Sequence, residues 1–120
     1  MTPALTQTLV EEFQSLYTSK TTFICCDGWY NLIHEMSKEL VEKGYENHIT
    51  CVKQKFGQLR VVFDAIVERD LRAVVVKYEC MSKNTCEICG STEDVRMTNV
   101  DNWIGLRCAE CLLEIQLERL

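Results

Sequence analysis

Apolar residues recur along this chain with two periods, and the period changes where turn residues fall. Leu5, Leu9, Phe13, Leu16 and Tyr17 share one face of a helix. Thr2 and Pro3 suit its N-cap and first helical position. The polar stretch Thr18 to Thr22 ends it. Phe23, Ile24 and Cys25 form a short extended lead-in, and Asp27 can cap a second helix whose stripe is Trp29, Leu32, Ile33, Met36 and Leu40. Gly44 is placed to stop that helix.

The period then drops to two. Ile49, Cys51 and Lys53 alternate with Thr50, Val52 and Gln54. Beyond Gly57, Leu59, Val61 and Phe63 point one way while Arg60 and Val62 point the other. The pattern predicts an antiparallel hairpin turning near Phe56 to Gln58. A third helix is expected from about Ala65 to Met81, with Val67, Leu71, Val74, Tyr78 and Met81 as its stripe. The β-branched run Val74 to Val76 also suits a strand, but the stripe extends well beyond it, which favours helix. Asp64, Glu68 and Asp70 suit the positive end of that helix.

A polar break at Ser82 to Thr85 introduces a cysteine-rich module. Cys86 and Cys89 form a CxxC followed by Gly90, and Cys108 and Cys111 form a second. The interval between the pairs fits the roughly fifteen to twenty residues of four-cysteine zinc sites. Two thiolates three residues apart meet one ion across a tight turn, where glycine relieves the backbone. Val95 to Val100 and Trp103 to Arg107 can pair around Asp101 and Asn102. The second CxxC then opens a helix carrying Leu112, Leu113, Gln116, Leu117 and Leu120. Knuckle, hairpin and a helix that starts with two ligands make a treble-clef arrangement. Four thiolates leave no open coordination position, so the expected ion is structural, and the spacing favours zinc over iron.

The expected fold is therefore α+β: helices packed on a short antiparallel hairpin, over residues 1–82, and a treble-clef-like zinc module over residues 83–120.

Composition narrows the function. The chain has 120 residues, 47% hydrophobic and 26% charged, with a net charge of −5. This is a globular composition. An acidic balance argues against a general nucleic-acid coat. No secretory signal pattern opens the chain and no apolar run matches a membrane span, so a cytoplasmic location is expected. There, eight cysteines favour metal ligation or burial over disulfides. Cys25, Cys26, Cys51 and Cys80 lack metal-ligand spacing and read as small buried residues. His34 and Glu35 begin a metalloprotease-like helix motif, but Lys38 stands where its second histidine belongs. Lys53, Lys55 and Arg60 flank the predicted hairpin turn. With Arg96 and Arg107 they are the candidate partner-binding cations.

Several motifs occur in a set order: Cys25-Cys26-Asp27-Gly28-Trp29, Lys55-Phe56-Gly57-Gln58-Leu59-Arg60, Cys86-Glu87-Ile88-Cys89-Gly90, and Trp103 with Leu106-Arg107-Cys108-Ala109-Glu110-Cys111. Residues 21 to 111 thereby resemble a family of small, mostly uncharacterised phage and prophage proteins with GDGW-like, KFG-x-LR and double CxxC motifs. Cys26 and Asn102 stand where that family usually has glycine. The resemblance implies zinc binding and a phage-type origin, and transfers no established activity. The expected function is a non-enzymatic, zinc-stabilised binding protein with a macromolecular partner, more a host protein or ribonucleoprotein than free nucleic acid. One version is an inhibitor or modulator of a host nucleic-acid machine, such as an anti-CRISPR. The alternative is a nucleic-acid-binding module using the basic hairpin. A small nuclease ranks last, for want of a histidine set or a carboxylate cluster.

Overall fold

The computed structural model describes residues 1–119. Leu120, assigned above to the last helical stripe, lies outside the described residues. Among those described, the chain runs α1 (Pro3–Glu12), β1 (Thr22–Ile24), a 3-10 turn (Asp27–Trp29), α2 (Tyr30–Glu42), β2 (Ile49–Lys55), β3 (Gln58–Phe63), α3 (Arg69–Ser82), β4 (Val95–Val100), β5 (Trp103–Cys108) and α4 (Ala109–Glu118). The fold is α+β, with helices on a small sheet and a C-terminal hairpin and helix around four close cysteines.

The sheet is larger than a hairpin. The lead-in at Phe23 is a true strand, parallel to β2, in a sheet of order β1-β2-β3. Strands β2 and β3 are antiparallel, and Phe56 and Gly57 turn between them with φ of 51° and 82°. Two positive φ values suit a type I′ turn, whose twist matches the strands it joins. Strict alternation fails once. Ile49 and Val52 are both buried because the register shifts between Ile49 and Cys51. A bulge adds one residue and so reverses which face the next side chain meets.

Helix α2 follows its stripe: Trp29, Leu32, Ile33, Met36 and Leu40 are all buried. Gly44, at φ 83°, ends it. The N–H of Gly44 donates to the Val41 carbonyl and that of Tyr45 to the Leu40 carbonyl, the paired bonds of a Schellman stop.

The other helices differ from the sequence expectation at their ends. Helix α1 stops at Glu12, and Leu16 and Tyr17 reach the core from the turn that follows. Helix α3 starts at Arg69, later than Ala65, and Met81 is exposed while Val75 and Ser82 are buried. The stripe rotates because α3 also covers β3. Ser82 Oγ accepts the N–H of Leu59 at 3.0 Å and Glu79 accepts that of Val61 at 3.3 Å. Asp27 does not cap α2. It opens the 3-10 turn, and its carboxylate accepts the N–H of Thr2 at 2.7 Å.

Candidate metal centre and the surfaces around it

The metal centre is built from two local structures that the sequence brings to one point. The first is the turn Cys86 to Gly90. The N–H of Gly90 donates to the Cys86 carbonyl at 2.9 Å, and Gly90 takes φ 83°. The second is the start of α4. Cys108 is its N-cap, and its sulfur accepts the N–H of Cys111 at 3.5 Å. The β4–β5 hairpin sets the distance between them, turning at Asp101 and Asn102 with φ of 51° and 69°. Asn and Asp tolerate that conformation better than other non-glycine residues, so the absence of a glycine at Asn102 is accommodated.

Four sulfurs converge. Those of Cys86, Cys89, Cys108 and Cys111 all lie within 4.8 Å of one another, and Cys89 and Cys108 are 3.7 Å apart. A tetrahedral centre with metal–sulfur bonds of ~2.3 Å needs sulfurs about 3.8 Å apart. The four residues therefore form a group that can hold one metal ion. Cys86, Cys108 and Cys111 are buried and Cys89 is exposed.

The electrostatics match four thiols crowded together. Burial alone pushes the Cys86 thiol up, but backbone N–H groups of Cys89, Cys108 and Ile88 outweigh it and bring the thiol down to about 7. Burial raises Cys111 strongly, and the sulfurs of Cys108, Cys89 and Cys86 raise it further. One thiolate forms readily while Cys89 and Cys111 resist a second charge, a conflict that a bound cation removes.

The module is tied to the core through the start of α2. The N–H of Gly28 donates to the Glu87 carbonyl at 2.8 Å, and the buried Trp29 indole donates to the Thr85 carbonyl at 3.0 Å. Gly57, at the tip of the β2–β3 hairpin, abuts Met97 and Leu106. The sequence alone gives Gly28 no partner. The Asp-Gly-Trp run is where such a contact could sit, since glycine permits a close backbone approach.

The candidate cations separate into groups. On the outer face of the sheet, Lys53 is directly opposite Arg60 and Lys55 opposite Gln58. The ion pairs among the described residues join His34 to Glu12 and Glu35, His48 to Asp64, Lys77 to Glu39 and Arg119 to Asp101. Lys53, Lys55 and Arg60 take part in none of them. Arg96 is exposed on β4. Arg107 has to be taken off the partner-binding list, because it is only 1% exposed. Its guanidinium donates to Thr98 Oγ1 at 2.5 Å and to the Trp103 carbonyl, and lies 4.8 Å from the Trp103 ring centroid. It is an internal brace of the hairpin. Its position on β5, on the face it shares with Trp103 and Gly105, decides this and was not visible in composition.

No family model matches the chain, and neither a curated protein nor a solved structure does.

The remaining cysteines form no further metal group among the described residues. Cys25 and Cys26 are half-buried beside β1, and burial pushes the Cys25 thiol up to about 12, which keeps it protonated and unreactive at neutral pH. No helix among the described residues is long and apolar enough to cross a membrane.

Proposed function

We propose that this protein is a zinc-stabilised, non-enzymatic binding module that engages a polyanionic macromolecule, RNA or DNA free or held in a ribonucleoprotein, on the outer face of its sheet. Zinc is the ion that best suits four thiolates on a knuckle and a helix start. A centre with all four positions taken by protein has no place for a substrate, which supports a structural role.

One observation carries the partner. Lys53 and Arg60 are paired across strands, with Lys55 two residues along the same face, and none of the three forms an ion pair among the described residues. Like charges set opposite each other destabilise a sheet. Their retention on one face of an acidic protein is accounted for by a ligand that brings negative charge. Phosphates meet that need, and each contact would make binding more salt-dependent. Ile24 on β1 and Phe56 at the hairpin tip are exposed beside these cations. They add apolar surface on which bases can rest.

The acidic side of the molecule supports a second reading. Glu110, Glu114 and Glu118 recur every fourth residue along α4 and are exposed. With the phage-type resemblance, this supports an inhibitor of a host nucleic-acid machine, for example a CRISPR effector, that fills a basic channel by charge mimicry.

Binding of short single-stranded RNA and DNA by the zinc-loaded protein, followed by fluorescence anisotropy, separates the two. The first reading expects binding that a Lys53→Ala, Lys55→Ala, Arg60→Ala variant loses. Absence of binding at low salt overturns it. Capture of a basic effector that persists in the triple variant and weakens with salt supports the second reading instead.

A further inference from the structure

A cavity of about 390 Å³ opens where β1 ends, between the sheet and the zinc hairpin, lined in part by Phe23, Ile24, Cys26, Gln54, Glu87 and Trp103. Its floor is unusual. Glu87 is 1% exposed, yet its carboxylate has no ion pair among the described residues. Among the described residues, Oε1 takes only a long hydrogen bond from the Gln54 amide, at 3.4 Å, and Oε2 takes none. The Gln54 amide spends its better bond on the Ile104 carbonyl at 2.6 Å. A desolvated carboxylate short of donors is costly to keep unless something supplies them.

The residue beneath it is glycine for this reason. A Cβ at Gly105 would lie 2.0 Å from Glu87 Oε1 and 3.2 Å from Arg107 Cζ. The carboxylate thus lies over bare backbone, with the buried guanidinium near enough to offset its charge without bonding to it. Trp103 forms a wall of the cavity. Arg107 stacks against its ring, and 53% of the residue remains open.

A ligand suited to this cavity is planar, rich in adjacent N–H donors and not itself strongly cationic. Planarity follows from the Trp103 wall. The donors follow from Glu87. Neutrality follows from Arg107 behind the floor. An incoming ammonium or guanidinium would be opposed by it. Guanine has these properties. Its N1–H and N2–H₂ are side by side and match one carboxylate, and its faces stack on aromatic rings. We propose that this cavity takes an unpaired guanine from a strand whose backbone lies on the outer face of the sheet. The strand's placement rests on the polyanion reading above. Ile24 belongs to both surfaces, so the step from one to the other is short.

The test uses the full zinc-loaded chain and short uridine oligomers with one central guanosine, inosine or adenosine, read by anisotropy. Inosine keeps N1–H and lacks the N2 amine. Guanosine is expected to bind about tenfold more tightly than adenosine, with inosine between them. Trp103→Ala, a substitution at an exposed ring, should weaken all three about tenfold. Glu87→Gln, checked for full zinc content, should erase the ranking. Equal affinities for the three oligomers overturn the guanine site and leave the sheet-face reading standing.

Guanosine monophosphate tests the cavity by itself. Chemical-shift changes confined to Gln54, Glu87 and Trp103, retained in the triple alanine variant, uphold the site even if oligomer binding fails. Absence of such changes overturns it. Displacement of the nucleotide by an equal concentration of arginine amide overturns it in favour of a guanidinium ligand.

Discussion

The backbone N–H of Gly28 donates to the carbonyl oxygen of Glu87 at 2.8 Å, so the turn that starts α2 is bonded directly to the loop between Cys86 and Cys89. The approach is close enough to exclude a side chain. A Cβ on Gly28 would stand 2.4 Å from the Cys86 carbonyl oxygen and 2.5 Å from the Glu87 carbonyl carbon. Both neighbours are backbone, so neither can rotate away. The metal loop and the principal core helix are therefore one mechanical unit.

Gly28→Ala should separate them. Forcing a methyl into that contact costs about 1–3 kcal/mol. Urea denaturation should report the loss, and chelator competition should report weaker metal retention. An alanine variant as stable and as metal-tight as the parent would show that the contact is dispensable.

Trp29→Phe keeps an aromatic ring at this buried position but removes the indole donor to the Thr85 carbonyl, along with part of the buried volume. Leaving that carbonyl unsatisfied should cost about 1–3 kcal/mol. The midpoint of chemical unfolding measures it.

Two buried tyrosines should respond in opposite directions to the same change. Tyr17 Oη pairs with Ser37 Oγ at 2.6 Å, whereas Tyr45 Oη is buried with no partner among the described residues. Tyr17→Phe should cost about 1 kcal/mol, since it removes a buried hydrogen bond and leaves Ser37 Oγ only its bond to the Ile33 carbonyl. Tyr45→Phe should be neutral or stabilising, since it removes an orphan. Equal losses for both would contradict this placement of the two hydroxyls.

Tyr17 also sets an alkaline limit. Burial raises its folded value well above the ordinary 10.0, against the lowering effect of the Ser37 bond. The unfolded chain therefore ionises first. Tyr17's contribution is complete below 10.0 and is lost as pH rises beyond it. Unfolding midpoints measured upward from that pH should fall less steeply in Tyr17→Phe than in the parent.

Features carried by a few neighbouring residues were legible in the sequence. The four cysteines, the Asp101-Asn102 turn, the Gly44 stop and the α2 stripe each depend on spacing within one segment. The features missed depend on contacts between distant segments. Phe23 becomes part of a strand only because β2 lies parallel to it. Val52 faces the core only because a bulge precedes it. Met81 is displaced from the buried stripe because α3 also covers β3. Arg107 looks like a surface cation until β5 pairs with β4 and places it beneath Trp103. Gly28 shows the limit from the other side. Its motif is visible in the sequence, but the partner that explains it lies far along the chain, at Cys86 and Glu87.

The central claim is that one metal ion fixes the C-terminal third and, through Gly28 and Trp29, steadies the core. Native mass spectrometry before and after chelation, paired with hydrogen exchange, tests it most directly. The account predicts one zinc per chain and, on its removal, loss of amide protection across β4, β5 and α4 together with the Gly28 and Trp29 amides. A chain that carries no stoichiometric metal, or that keeps this protection without it, would contradict the account.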